Sequence, residues 1–217
     1  MRHIPLDERP IRYDRWIDRL PRWLQRFLPK GGGTAKDHHG KGMFGVTVFL
    51  LSESVVFLSL IFAYSALKAT TADWLPAGVK GPEVSTFVVI NTVVLLSSSA
   101  VIQLAERAIK KERLTRFRLL WSLTVLMGSY FLVGQAIEWS QAEFGLRTSI
   151  GSSAFYVLTG FHGLHVLVGV LLQLTMLGRS LIPHNYDDGH FGINATTLFW
   201  HFVDALWVVL FTIIYVW

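Results

Sequence analysis

Six ionisable side chains interrupt long apolar stretches of the sequence: Glu53, Glu138, His162, His165, His201 and Asp204. Their types and spacing admit three kinds of chemistry. Histidines three residues apart in GFHGLHVLVG, Gly160 to Gly169, could ligate a metal or a haem. Carboxyls and imidazoles together can pass protons, and any of these groups can simply hydrogen-bond one helix to another. A di-metal bundle needs Glu-x-x-His on two helices, whereas the two segments here read HGLH and HFVD. Bis-histidine haem ligation between His162 or His165 and His201 fits the residue types. Cysteine is absent, which excludes disulfides, cysteine-ligated zinc or iron–sulfur clusters and thiolate-bound copper in this chain.

The elements that must position these residues are set by composition. The chain has 217 residues, 52% hydrophobic and only 16% charged, the balance of a membrane protein. A membrane-crossing helix needs about 20 apolar residues, and five stretches qualify: Met43 to Leu67, Ser85 to Leu104, Leu119 to Trp139, Ser152 to Leu177 and Thr196 to Trp217. The expected fold is all-α, an integral membrane bundle of five transmembrane helices over residues 43–217. At about 1.5 Å per residue, Glu53, His162, His165 and Asp204 all fall near the midpoints of their spans. His201 lies about one turn from Asp204 on the same face, in a stripe with Asn194 and Thr197. His162, His165 and Gly169 likewise share a face, the glycine allowing a neighbouring backbone to come close. Glu138 is expected near the outer surface, hydrated. Glu53, buried between Ser52 and Ser54 without a cation, is expected to be protonated, because leaving water penalises the charged form. The resulting expectation is a midplane network in which at least one acid bonds one histidine. An independent proton or ion pathway is the competing reading, although the five spans show neither repeated halves nor interrupted helices.

Charge gives the orientation. Of the 20 basic residues, 17 lie in the N-terminal segment, the second loop and the fourth loop, and Lys68, Lys80 and Arg147 lie on the other side. The positive-inside bias then puts the N-terminus in the cytoplasm and the C-terminus outside. The excess of positive charge needs no nucleic-acid partner to explain it. Residues 1–42 form a separate arm. Arg12, Arg15, Arg19, Arg22 and Arg26 recur at helical spacing beside Trp16, Leu20, Trp23, Leu24 and Phe27, as in an interfacial amphipathic helix on an anionic leaflet. A solvated arm docked on a partner subunit is the alternative. Gly31 to Gly42 then reads as a flexible linker, with His38 and His39 solvated. The first forty residues are too polar for a cleaved secretory signal.

Several motifs, in order, resemble subunit III of the haem-copper terminal oxidases. They are FLLSESVVFLSLIFAY from Phe49, NTVVLLSSSAVI from Asn91, FYVLTGFHGLHV from Phe155 and LFWHFVDALWVVLFTIIYVW from Leu198. The likeness runs from about Met43 to the end. GQAIEWS from Gly134 and NYDDGHFGINATTLFWHFVD from Asn185 look most like the cyanobacterial cytochrome c oxidase branch.

The resemblance implies a non-catalytic subunit of a proton-pumping complex that reduces oxygen to water, in a prokaryotic plasma or thylakoid membrane. It implies no redox metal in this chain: haem and copper would reside in partner subunits I and II. Glu53 matches the family's intramembrane carboxylate, His162 and His165 its histidine pair, and Trp200, His201 and Asp204 its Trp-His-Phe-Val-Asp signature. Gly160 and Gly163 are expected to serve signature packing. In relatives this subunit packs against subunit I, binds phospholipid and sustains proton uptake and stability. Arg113, Arg116 and Arg118 are accordingly candidates for lipid headgroups. The Ser-Glu motif favours a cytochrome c oxidase, with cytochrome c as donor, over a quinol oxidase. One departure stands out: the best-known relatives have seven spans and a lipid cleft behind the first two, and those two are missing here.

Overall fold

A computed structural model describes residues 35–182, 186 and 189–217, with side chains from residue 42 onward. The basic arm, with its arginine stripe, and the side chains of His38 and His39 lie outside the described residues. Five long helices follow one another: α1 (Ala35–Thr70), α2 (Thr86–Ile109), α3 (Leu114–Gln141), α4 (Ile150–Ser180) and α5 (Phe191–Phe211), the last continuing as a π-helical turn over Thr212–Val216. All five are long and apolar enough to cross a membrane, and no strand occurs among the described residues. α1, α3 and α4 run past their apolar stretches at both ends, α2 runs on to Ile109, and α5 begins before its stretch, at Phe191. α1 begins at Ala35, inside the segment expected to be a flexible linker, so Gly40 and Gly42 lie on a helix.

Local chemistry sets the helix ends. Ser85 caps α2, its hydroxyl accepting from the Val88 amide at 3.2 Å. Ser149 and Ser152 form a reciprocal capping box at the start of α4, with bonds of 3.1 and 2.8 Å, satisfying two amides that have no helical partner. Between α2 and α3 the chain reverses within four residues, which requires a left-handed residue, Glu112 at φ 58°. Its tightness makes α2 and α3 the most extensively packed pair.

Short loops place consecutive helices side by side. α2, α3, α4 and α5 close into a four-helix ring, each packed on two of the others, while α1 lies outside against α4 and α5. The ring interior is aromatic, with Phe117, Trp121, Phe131, Phe155, Trp200 and Trp207 fully buried. α1 joins it through Phe57, whose ring meets Phe161 at 5.2 Å and Phe202 at 6.5 Å. Its other face leaves Phe44, Leu51, Val55, Leu58 and Phe62 exposed, a surface suited to lipid or a partner helix rather than water.

Close approach is bought with glycine at two main positions. Gly128 on α3 and Gly169 on α4 flank the indole of Trp200: an added Cβ would fall 2.6 and 2.7 Å from its six-membered ring. Gly169 therefore makes room for a side chain of α5, not for a backbone as expected. The glycines expected to serve packing contribute less. Gly163 has open space around it, and a Cβ added at Gly160 would meet only the edge of Trp139, at 3.3 Å.

Candidate functional site

The polar groups of the spans gather in two clusters, and one residue stands apart from both. In the first cluster, Glu53 of α1 reaches across to α4, where its Oε2 lies 3.2 Å from His165 Nε2. The other ring nitrogen of His165, Nδ1, lies 2.8 Å from the Phe161 carbonyl. A carbonyl only accepts, so Nδ1 carries a proton. Nε2 and the carboxyl then share one further proton: either a neutral carboxyl donates to the imidazole, or an imidazolium donates to a carboxylate. Phe57 covers the pair, its ring 5.0 Å from that of His165.

The second cluster joins α2 to α5. His201 Nδ1 lies 3.0 Å from Ser99 Oγ and His201 Nε2 lies 3.2 Å from Gln103 Oε1. The hydroxyl of Ser99 is also hydrogen-bonded to Asp204 Oδ2. Asp204 is buried, and its second oxygen has no hydrogen-bond partner. Ser99, His201 and Asp204 are the residue types of a hydrolytic triad, but the connectivity is wrong for one. Here the acid bonds the serine, whereas nucleophile activation needs the acid behind the histidine.

His162 belongs to neither cluster. It is fully buried, its ring stacked on Trp207 at 4.8 Å and edge-on to Phe131 at 5.8 Å, and both nitrogens lack a hydrogen-bond partner. The structure thus brings Glu53 to His165, and His201 to Asp204 through Ser99, but does not join the four midplane groups into one network. Glu138 also differs from expectation. Instead of facing water alone, it accepts from the Tyr215 hydroxyl at 2.6 Å and the Gln135 amide at 3.0 Å.

Trp200 supports the second cluster from behind. Its indole N–H donates to Ser98 Oγ at 2.8 Å, so the residue beside Ser99 is held by the residue beside His201. Trp207 repeats the arrangement about two turns further along α5, donating to Thr92 Oγ1 at 3.1 Å. The serines and threonine of α2 were not legible as site residues, since hydroxyls are common on membrane helices; the run SSSA opposite WHFVD was the available signal.

Among the described residues, no group of three histidine, aspartate or glutamate side chains converges as a metal ion would need. Both nitrogens of His165 and of His201 are engaged by protein atoms, and His162 is enclosed by aromatic rings. Bis-histidine haem ligation therefore has no geometry here.

At the end of the bundle that carries the α2–α3 turn, Arg113 and Arg116 are exposed. Arg118 is not free in the same way: its guanidinium donates to the Ser180 carbonyl in the last turn of α4. Nearby, burial pushes the His190 imidazole below its ordinary value, Lys110 adds to the fall, and Glu112 opposes it. At the opposite end a cleft of about 560 Å³ opens between α1 and α4, walled by Leu60, Ala63, Leu67 and Val157 with Arg147 among its lining residues.

Residues 29–217 match the family model described as cytochrome c oxidase subunit III. The chain is 42% identical over 184 residues to a cytochrome c oxidase subunit 3 of Thermostichus vulcanus, covering 84% of this chain and 90% of that protein. It is 43% identical over 188 residues to one from Synechocystis sp., covering 84% and 80%. A similar protein from Branchiostoma lanceolatum is 36% identical over 178 residues, covering 80% and 68%.

Proposed function

Because this chain belongs to the cytochrome c oxidase subunit III family, we propose that it serves as the non-catalytic third subunit of a proton-pumping haem-copper oxidase, with cytochrome c as electron donor. The observation that carries this reading is the family match over residues 29–217, which spans all five helices. The subunit's role is then to support the assembly, stability and proton supply of the catalytic chain. Its partners are subunit I, against which it packs within the bilayer, and subunit II. The charge bias supports a cytoplasmic location for the α2–α3 turn. Phospholipid fits two places. Arg113 and Arg116 can meet anionic headgroups, and the α1–α4 cleft offers an apolar slot for an acyl chain with Arg147 for a phosphate.

Purification in mild detergent through a tag on this chain tests the proposal. The expected result is stoichiometric recovery of a large, many-span, haem-containing chain and a copper-binding chain. Recovery alone, or as a homo-oligomer, would overturn it.

A further inference from the structure

Asp204, Ser99, His201 and Gln103 form one unbroken hydrogen-bonded chain, and its chemistry admits two proton arrangements on the same heavy atoms. Gln103 Oε1 only accepts, so His201 Nε2 carries a proton in both. In the neutral arrangement, the carboxyl of Asp204 donates to Ser99 Oγ, and the Ser99 hydroxyl donates to His201 Nδ1. In the ionic arrangement, an imidazolium at His201 donates from Nδ1 to Ser99 Oγ, and the hydroxyl donates to a carboxylate at Asp204. Passing from one to the other breaks the O–H bond of Asp204 and the old O–H bond of Ser99. It forms a new O–H bond on Ser99 and an N–H bond at Nδ1. Two protons each move across one hydrogen bond, and the total charge of the chain is unchanged.

We propose that this chain is a proton relay, in which the buried carboxyl of Asp204 exchanges its proton with the half-exposed imidazole of His201 through the hydroxyl of Ser99. The ends are unequal in the way a relay requires. Asp204 is 3% exposed and its Oδ1 is buried without a partner, whereas His201 and Gln103 stand partly open on the surface between α2 and α5. A lone charged aspartate near the middle of a span is costly, which disfavours the ionic arrangement; the imidazolium one hydroxyl away offsets that cost.

The surrounding groups leave the chain distinct. On α2, Glu106 lies one turn beyond Gln103 and is paired with Lys110, with Arg107 beside it exposed. α4 presents His165, already bonded to Glu53 of α1, and the enclosed His162. Asp204, His201 and Ser99 are bonded to none of these. The inference rests on residues of this chain alone and stands whatever complex the chain joins.

The test is hydrogen–deuterium exchange at the Asp204 carboxyl, followed by infrared spectroscopy on the chain in its native assembly. The C=O band of protonated Asp204 is the one removed by Asp204→Asn, and exchange is read as its downshift in heavy water. The relay predicts prompt downshift in the unaltered protein, loss of it on the same timescale in Ser99→Ala, and recovery in Ser99→Thr, which restores a hydroxyl. If Ser99→Ala does not assemble, His201→Asn breaks the chain at its other end and must give the same loss. Exchange in Ser99→Ala as fast as in the unaltered protein would overturn the relay and leave the cluster as helix-to-helix bonding. So would the lack of any band sensitive to Asp204→Asn at every pH where the assembly is intact.

Discussion

Gly128→Ala should be among the more damaging single-methyl additions in the bundle. The new Cβ would stand 2.6 Å from Cη2 of Trp200 and 2.9 Å from Cγ2 of Val170. Carbon atoms in contact sit about 3.5–4.0 Å apart, so the indole would have to move by about 1 Å. It has nowhere to go. The ring is fully buried, its N–H is bonded to Ser98 at 2.8 Å, and Gly169 abuts another of its edges. Overpacking of this kind costs about 1–3 kcal/mol, while alanine returns up to about 1 kcal/mol over glycine in a helix. Gly163→Ala cancels the second quantity, because a Cβ there meets nothing within 4 Å. The difference in unfolding free energy between the two variants, measured by denaturant titration in detergent micelles, should therefore be about 1–3 kcal/mol. Adding Trp200→Phe removes the clashing ring at the cost of one hydrogen bond, about 1 kcal/mol. The double variant should then be more stable than the two single losses sum to, by roughly 0.5–3 kcal/mol. Stabilities for Gly128→Ala and Gly163→Ala within about 0.5 kcal/mol of each other, or strictly additive losses, would refute the argument that this glycine exists to seat the indole.

Three further outcomes follow from the same geometry. Glu53→Gln should leave the assembled complex intact by native gel, because a carboxamide can still bond His165; disappearance of the complex would show that the Glu53–His165 pair must be ionised. His162→Phe should be neutral or stabilising in a thermal melt, since it removes two ring nitrogens that have no partner in the aromatic core; a loss above about 2 kcal/mol would reveal a partner for that ring. His190 should make stability fall in acid. Its folded-state affinity for protons is depressed by burial and Lys110, so below the ordinary value near 6.5 the unfolded chain binds a proton that the folded chain resists. Melting temperature should drop as pH falls from about 7 toward 5, and His190→Gln should flatten that slope; an unchanged slope would assign the acid sensitivity elsewhere.

The five helices were legible because apolar length is a coarse signal that survives without any knowledge of packing. Their ends were less so. α1 begins well before its apolar stretch, running through Gly40 and Gly42 of a segment whose glycines pointed to a linker, and α4 starts where the Ser149 cap sets its end rather than where the apolar residues begin. The importance of Gly128 was invisible for a different reason. Its function depends on Trp200, a residue 72 positions away, and only closure of the ring, in which the long indole reaches from α5 across to α3, brings the two together. Gly160 and Gly163, singled out for their place in a recognisable motif, turned out to have no comparable neighbour.

The histidine pair shows why depth along a span was a poorer guide than direction around it. Glu53, His162, His165 and Asp204 do lie in the middle portions of their helices, yet three residues along a helix turn a side chain by about 60° from its predecessor. In a ring of helices that angle is enough to change which neighbour is met. His165 looks outward to α1 and finds Glu53, while His162 looks into the ring and finds Trp207 and Phe131. His201 and Asp204, also three apart, could have diverged in the same way. They share a partner because Ser99 projects between them from α2, and its one hydroxyl can accept from one side while donating to the other. A motif written HxxH or HxxD on one helix therefore says little about chemistry until the facing helix is known; here the facing serine is what converts two separate polar side chains into a path along which protons can move.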